Sequence, residues 1–433
     1  MRRFEPDRPA AMFQSLQSVR RLPTVFWGSA AALEPVQTPA PSAAPATKPR
    51  RSPWVAAIRE FIYRHIGTRL RQRKVQRDRP DDPDTDAYLR AHVCLKPFRY
   101  IETTNRGLAH VCCADWLPTP IGNLKSDLLR QWSGPVAQKI RKSIVDGSYH
   151  YCSRFYCSEI TNRMLPHRES EEVRATLAAF AAAGDLAPAP QRIGLSHDRS
   201  CNLSCPTCRT APILADKREQ AELDGFFERT ILPLIRETKT VYVTGSGDPF
   251  GSAHFRRVLK RLDRQEFGHL TLDLHTNAQL FDARAWTEFD LAGRVGHIEI
   301  SIDAADADTY AIVRRGGDFA RLRKNLAFIA GQRQAGAIRS LEFSMVVQTR
   351  NFREMPAFVR LGQEFSADIV AFHMIRNWGT FSAAEFKDEW IGDPAHPRHQ
   401  ELIEILGAPE LSLPIAKVGN ILGYTRESAA ARA

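Results

Sequence analysis

The chain has 433 residues, of which 43% are hydrophobic and 25% are charged, a composition typical of a folded protein of two or three domains. Nothing in it approaches the roughly 18 consecutive apolar residues of a membrane-spanning helix, so we expect no membrane span. The formal net charge is +11, and residues 1–90 carry most of it, with 17 basic and 9 acidic side chains. The positive charge is therefore concentrated in the N-terminal part, and the rest of the chain is close to neutral.

The N-terminal part divides into two predicted segments. Residues 1–53 end in a stretch rich in proline and alanine, which predicts a disordered, extended arm. A short apolar run within it follows two arginines, as in an export signal, but Pro23 interrupts that run, so a cytoplasmic location is favoured. Residues 54–90 have apolar side chains at helical spacing with arginines between them, which predicts a basic amphipathic helix and a linker.

A cysteine-rich α+β unit is predicted over residues 91–175. Residues 97–113 predict two short strands that turn at Asn105-Arg106-Gly107, and a helical segment follows around residues 125–145. Close spacing of cysteines in a large chain favours metal binding or redox chemistry over disulfides. The cysteines of this unit are Cys94, Cys112, Cys113, Cys152 and Cys157.

Residues 191–385 alternate regularly between strand and helix patterns, and residues 386–433 form a C-terminal segment. The six predicted strands lie in RIGLSH, TVYVTG, HLTLDLHTN, HIEISID, LEFSMVVQ and DIVAFHMI. Six βα units predict an α/β fold with a parallel sheet, either doubly wound or a partial barrel. In both folds, ligands bind at the C-terminal ends of the strands.

Polar residues occur where each predicted strand ends. The first strand leads into a loop with Cys201, Cys205 and Cys208, and the second leads into Thr244-Gly-Ser-Gly-Asp-Pro249. The later strands end near His275, Asn277, Ser301, Asp303, Gln348, His373, Arg376 and Asn377. Because the C-terminal ends of parallel strands lie along one edge, we expect these groups to form a single site. Each also has a structural alternative: the glycines form an ordinary turn, Asp303 caps the next helix, and the histidines lie in the core.

The cysteine loop, SHDRSCNLSCPTCR (residues 196–209), offers three thiolates to a soft metal. A structural zinc site needs four ligands, and no cysteine follows Cys208, so His197 is the candidate fourth ligand for zinc. A 4Fe–4S cluster held by three cysteines would instead leave one iron open for another ligand.

This loop, followed after the next strand by a glycine-rich loop, resembles the radical S-adenosylmethionine (SAM) superfamily over residues 191–385. The resemblance implies a partial (β/α)6 TIM-like barrel whose three cysteines hold a 4Fe–4S cluster. SAM on the open iron is cleaved by one electron, from a partner such as flavodoxin or ferredoxin, to a 5′-deoxyadenosyl radical that abstracts a substrate hydrogen. The residues implied to bind SAM are Gly245, Ser246, Gly247, Asp248, Asn277, Ser301 and Asp303, with Arg315 as a further candidate. Thr207, where the family usually has an aromatic residue, and Asp248, in place of glutamate, depart from the pattern.

Residues 94–157 resemble the SPASM or twitch auxiliary-cluster module through Cys94-Leu-Lys-Pro-Phe, Gly107-x4-Cys112 and Cys152-x4-Cys157. This resemblance implies a second 4Fe–4S cluster held by Cys94, Cys112, Cys152 and Cys157, with zinc as the alternative metal. Enzymes with such modules often modify peptides, sugars or other polar substrates, and we expect His373, Arg376 and Asn377 to contact the substrate. The alternative function is a non-enzymatic, metal-stabilised protein that binds nucleic acid through its basic N-terminus.

Overall fold

A single ten-stranded mixed sheet organises the part of the chain that the structure describes. The structure is a computed structural model, and it describes residues 70, 72–73, 75, 82–154, 156–184 and 186–421. The predicted arm over residues 1–53 lies outside the described residues, as does nearly all of the predicted basic helix. Within the described ranges, no helix combines the length and the apolar character needed to cross a membrane.

The strands follow the predicted pattern closely. They are β1 (Tyr100–Thr104), β2 (Leu108–His110), β3 (Gly122–Asn123), β4 (Arg192–Ser196), β5 (Thr240–Val243), β6 (Thr271–Thr276), β7 (Val295–Ser301), β8 (Ile338–Val347), β9 (Ile369–Met374) and β10 (Ala416–Lys417). The six strands predicted after residue 191 are β4 to β9, and each pairs in parallel with the next one in the chain. This sequential order excludes the doubly wound alternative, in which the strand order reverses. Closure of the sheet into a partial barrel stays a prediction.

The strands are connected largely by helices, several of which begin at an aspartate or serine whose side chain accepts the first backbone N–H groups. The named helices are α1 (Pro83–Ala91), α2 (Lys96–Arg99), α3 (Leu128–Trp132), α4 (Pro135–Val145), α5 (Ser158–Thr161), α6 (Glu171–Ala182), α7 (Lys217–Phe226), α8 (Leu232–Ile235), α9 (Ala253–Arg261), α10 (Arg264–Phe267), α11 (Ala283–Glu288), α12 (Ala307–Val313), α13 (Phe319–Gln334), α14 (Met355–Glu364), α15 (Ala383–Glu389) and α16 (His399–Leu406). The predicted helix around residues 125–145 is therefore two helices, and Pro135 begins the second one, where its missing N–H costs nothing.

The two faces of the sheet differ in chemistry. One face carries fully buried apolar side chains, including Ile193, Val241, Leu274, Ile298 and Phe343. Right-handed crossovers between sequential strands place the connecting helices on this face. The opposite face carries Tyr242, Asp273, His275, His297, Glu299, Ser301, Glu342, Ser344 and His373, which we call the polar face. A parallel sheet covered by helices on both faces has strands that are apolar almost throughout. Here apolar and polar residues alternate along the strands, which indicates that helices do not cover the polar face.

The predicted hairpin of the cysteine-rich unit is confirmed. β1 pairs with β2 in antiparallel orientation, and Gly107 adopts a φ of +66° in the turn between them. β1 also pairs in parallel with β4 along five residues, from Tyr100 opposite Arg192 to Thr104 opposite Ser196. The sheet therefore continues from the cysteine-rich unit into the βα units, across the predicted boundary between residues 175 and 191.

Candidate functional site

The loop that follows β4 carries the three closely spaced cysteines and is fixed through its backbone. The N–H of Cys201 donates to the carbonyl of Ile213 at 2.8 Å, which closes the base of the loop. The N–H of Cys208 donates to the carbonyl of Cys205 at 2.9 Å and forms a tight turn inside it. Cys201 and Cys205 are buried, whereas Cys208 is partly exposed. All three thiols therefore belong to one short, ordered loop at the C-terminal ends of the parallel strands.

Each of the three thiols has a nitrogen donor of its own. Asn277 Nδ2 lies 3.6 Å from Cys201 Sγ, and Arg209 Nη2 lies 3.2 Å from Cys208 Sγ. Arg314 Nη1 lies 3.7 Å from Cys205 Sγ, and the sequence analysis did not single out this arginine. Donors of this kind stabilise thiolate charge, which a metal or cluster requires of its ligands.

Burial shapes the chemistry of these thiols. It raises the pKa of Cys201 to about 11, and it raises that of Cys205 although the guanidinium of Arg314 acts in the opposite direction. Buried thiols with raised pKa values stay protonated near neutral pH unless a metal cation replaces the proton. The donor set therefore fits a metal centre that takes three thiolates.

The zinc alternative with His197 as fourth ligand is not supported by the geometry. His197 is buried, its Nδ1 lies 2.8 Å from Thr103 Oγ1, and its Nε2 lies 2.9 Å from Nε2 of His254. Both ring nitrogens are therefore engaged away from the cysteines. Among the described residues, no group of three or more His, Cys, Asp or Glu side chains is placed to hold a metal ion. A 4Fe–4S cluster makes a different demand, because each thiolate binds a different iron and the sulfurs need not converge on one point.

The glycine-rich loop after β5 packs directly on the cysteine loop. A Cβ on Gly247 would lie 2.6 Å from the carbonyl oxygen of Ser200 and 2.7 Å from that of Asp198, so only glycine fits there. The N–H of Asp248 donates to the carbonyl of Ser200 at 2.9 Å, and Ser246 Oγ donates to the carbonyl of Ser196 at 2.7 Å. The predicted proximity of the two loops is confirmed, and Gly247 does more than permit an ordinary turn.

Asp248 is used to join loops. Its Oδ1 accepts the N–H groups of Phe250 and Gly251 at 3.0 and 2.9 Å. Its Oδ2 accepts the Thr276 hydroxyl at 2.8 Å and the Asn277 N–H at 2.9 Å. These four bonds fill the acceptor positions of a carboxylate, so a ligand ammonium group would have to displace one of them. The contacts make Asp248 a positioning group that ties the loops after β5 and β6 together.

Ser301 and Asp303 have separate roles. Asp303 is buried, its Oδ1 accepts the N–H of Val346 at 2.7 Å, and its Oδ2 lies 2.9 Å from Nε of Arg314 in an ion pair. The alternative that Asp303 caps the following helix is wrong, because Asp306 accepts the first N–H groups of α12. Ser301 instead lies on the polar face, where its Oγ is 2.7 Å from His275 Nε2.

The polar face adds titratable groups that the sequence analysis missed. The Tyr242 hydroxyl lies 2.7 Å from Nδ1 of His275, which gives the hydrogen-bonded chain Tyr242–His275–Ser301 across three strands. Burial acts to raise the pKa of Glu299, but nearby His275 and His373 hold it below its ordinary value. On β1, burial raises the pKa of Glu102 to about 7. The polar residues that alternate within the predicted strands were the signal that could have identified this face.

The N-terminal cysteines form a second group. Burial raises the pKa of Cys112 well above its ordinary value, the charge of Lys96 opposes this, and Cys94 and Cys157 act as neighbouring negative groups. After burial, the groups that most raise the pKa of Cys113 are Glu102 and Asp115. Lys96 acts on both adjacent cysteines, whereas Cys94 and Cys157 act on Cys112, and Glu102 and Asp115 act on Cys113.

Residues beyond β9 contact the cysteine-rich unit. Arg376 Nη1 lies 3.5 Å from Asp115 Oδ2, and its guanidinium lies 5.1 Å from the ring centroid of Tyr156. β1 of the cysteine-rich unit pairs with β4, the first of the six parallel strands. The unit therefore contacts the first strand of the series and also the loop that follows β9, the last one. Asn377 Oδ1 accepts the N–H of Gly379 at 2.8 Å and holds its own turn. Of the three predicted substrate contacts, His373 is exposed on the polar face, Asn377 is exposed in the loop beyond β9, and Arg376 is partly buried.

No family model and no curated protein matches the chain. Among solved structures, it is similar to Streptococcus suis SuiB bound to the precursor peptide SuiA, with 12% identity, a TM-score of 0.40 and coverage of 68% of this chain and 64% of that one. It is similar to TYW1 with a lysine-pyruvate adduct, with 15% identity, a TM-score of 0.30 and coverage of 48% and 69%. It is also similar to anSMEcpe with bound AdoMet, with 15% identity, a TM-score of 0.31 and coverage of 43% and 51%. The chain thus spans less than two thirds of the peptide-bound SuiB structure and of anSMEcpe.

Proposed function

We propose that the protein is a radical SAM enzyme that generates a 5′-deoxyadenosyl radical and uses it to abstract hydrogen from a polar substrate. The observation that carries the proposal is the paired architecture of two loops. Three thiols in one loop, each with its own nitrogen donor, lie against a second loop at Gly247, where no side chain fits. A purely structural zinc site would need a fourth ligand and would not call for a glycine-lined neighbour.

We assign a separate role to each group of residues at that site. Cys201, Cys205 and Cys208 would hold a 4Fe–4S cluster, which supplies a binding position for SAM and the electron that cleaves it. Burial of Cys201 and Cys205 keeps water away from the reactive centre. The residues proposed to line the SAM pocket are Gly245, Ser246, Gly247, Asn277 and Ser301. Asp248 and Asp303 are proposed to shape that pocket through their protein contacts.

The polar face is proposed as the substrate side of the site, within a partial barrel. Its hydroxyl, imidazole and carboxylate groups suit a peptide, a sugar or another polar metabolite better than an apolar molecule. His275, with hydroxyls on both ring nitrogens, can accept a proton on one side and pass one on from the other. A low-potential donor such as flavodoxin or ferredoxin would supply the electron.

An auxiliary 4Fe–4S cluster at Cys94, Cys112, Cys152 and Cys157 is the second part of the proposal. The electrostatic effects of Cys94 and Cys157 on Cys112, and of Cys157 on Cys94, support it, because they indicate that these three thiols lie near one another. The alternative function, nucleic-acid binding through the basic N-terminus, depends on residues that lie almost entirely outside the described ranges, and no observation favours it.

The test is anaerobic reconstitution with iron and sulfide. Iron, sulfide and zinc are measured, and 5′-deoxyadenosine release from SAM is followed with dithionite as reductant. We expect about four irons per cluster, nucleoside release by the wild type, and none by Cys208→Ser. Cys113→Ser is the matched control, since Cys113 is assigned to neither cluster, and it should keep release. Stoichiometric zinc without iron, together with no nucleoside, would refute the proposal.

A further inference from the structure

Two of the three thiols in the loop after β4 face guanidinium groups rather than neutral donors. Arg209 Nη2 lies 3.2 Å from Cys208 Sγ, and Arg314 Nη1 lies 3.7 Å from Cys205 Sγ. Arginine cannot lose its charge in a protein, so both contacts bring permanent positive charge to the loop.

Arg314 is held in place by a chain of contacts behind it. Its Nε lies 2.9 Å from Asp303 Oδ2, and Asp303 is fixed in turn by the N–H of Val346 at 2.7 Å. Asn351 Nδ2 donates to the carbonyl of Asp303 at 2.8 Å. Arg314 and Asp303 are both buried, so the guanidinium is screened from water and cannot easily move away from Cys205.

Arg209 is held differently. Its Nη1 donates to the carbonyl of Arg199 at 2.7 Å, and its Nη2 donates to the carbonyl of Ser246 at 2.8 Å. These bonds attach one guanidinium to both the cysteine loop and the glycine-rich loop. The charge of Arg209 therefore lies where the two loops meet.

Resting on the proposed function, we propose that Arg209 and Arg314 are positioning residues that raise the reduction potential of the cluster held by Cys201, Cys205 and Cys208. The one-electron step takes the cluster from [4Fe–4S]2+ to [4Fe–4S]1+, and the electron comes from a low-potential donor. The reduced form is more negative by one charge, so a fixed cation beside a ligand thiolate stabilises it more than the oxidised form. Hydrogen bonds to cluster sulfurs and local charge are established determinants of such potentials. Asp303 serves this role indirectly, because it orients Arg314.

The experiment is a redox titration of the reconstituted full chain, in which electron paramagnetic resonance monitors the reduced cluster. The signal of this cluster is identified as the one that changes when SAM is added, which separates it from any auxiliary cluster. The variants are Arg209→Gln and Arg314→Gln, which keep an amide donor but remove the charge, and Arg314→Lys, which keeps the charge. Arg333→Gln is the matched control, because Arg333 donates to the carboxylate of Asp368 and belongs to neither loop.

We expect Arg209→Gln and Arg314→Gln to shift the potential to more negative values, Arg314→Lys to shift it less, and Arg333→Gln to leave it unchanged. An unchanged potential in both glutamine variants at wild-type iron content would overturn the inference, and so would an equal shift in Arg333→Gln. If Arg314→Gln does not fold, Arg209→Gln and the smaller shift of Arg314→Lys decide the outcome. A wild type without any SAM-sensitive signal would overturn the proposed function itself, whereas a wild-type signal with unshifted variants overturns the inference alone.

Discussion

Gly247→Ala is the most direct test of how the two loops are packed. A Cβ at this position would lie 2.6 Å from the carbonyl oxygen of Ser200 and 2.7 Å from that of Asp198. Ordinary contact begins near 3.4 Å, so the loops must separate by roughly 0.7–0.8 Å. Both oxygens belong to the backbone of the cysteine loop and cannot rotate away as a side chain would. Overpacking of this kind costs about 1–3 kcal/mol.

The free energy of unfolding is measured by urea denaturation, and iron incorporation is measured after anaerobic reconstitution. We expect Gly247→Ala to lose about 1–3 kcal/mol of stability and to bind less iron, because Cys201 directly follows the displaced segment. Gly331→Ala is the control: Gly331 lies within α13, and a Cβ there meets nothing within 4 Å. That substitution should stabilise the protein by about 0.5–1 kcal/mol. Wild-type stability and iron content in Gly247→Ala would refute this account of the loop contact.

Three further predictions concern titration and the second group of cysteines. Burial raises the pKa of Glu102 to about 7 from 4.5, so ionisation of this carboxyl lowers the free energy of unfolding as the pH rises through that interval. Glu102→Gln should therefore raise the free energy of unfolding by about 1–3 kcal/mol at pH 8 and change it little at pH 4. Equal effects at both pH values, in urea denaturation, would contradict the assignment. Burial lowers the pKa of His197 and His254, so these two groups should lower the free energy of unfolding as the pH drops below about 6.5, where the unfolded chain takes up the protons first. The loss of stability between about pH 6.5 and about pH 5 should therefore be smaller in His197→Asn than in the wild type, and equal losses would count against it. Cys112→Ser should remove about four irons per chain while Cys113→Ser removes none, and the reverse result in an iron assay would reassign the ligand.

Much of the fold could be predicted because its signals are local. The apolar strands β4 to β9 and the loops that follow them were apparent from short stretches of sequence, and so were the turn at Gly107 and the cysteine spacing. The polar face was also predictable, since His275 and Glu299 alternate with apolar residues inside their strands.

The site itself was predicted only in outline. The sequence indicated correctly that the cysteine loop and the glycine-rich loop lie together, but it did not reveal what Asp248 and Asp303 bind. Both carboxylates face protein donors, and Asp303 acts on the cysteine loop through Arg314. His197 was a plausible ligand by its position in the chain, yet its ring nitrogens face Thr103 and His254.

Hydrophobic periodicity and turn residues act over a few positions, so the amino-acid sequence predicts which segments become strands and helices and which loops carry thiols. The partners of each polar group follow from the three-dimensional fold. Arg314 reaches Cys205 across more than a hundred residues of chain, and β1 joins β4 from a separate predicted unit. Such contacts depend on the register of neighbouring strands and on the packing of loops at their ends. Strand register and loop packing both depend on burial over the whole fold, so no short stretch of sequence predicts them.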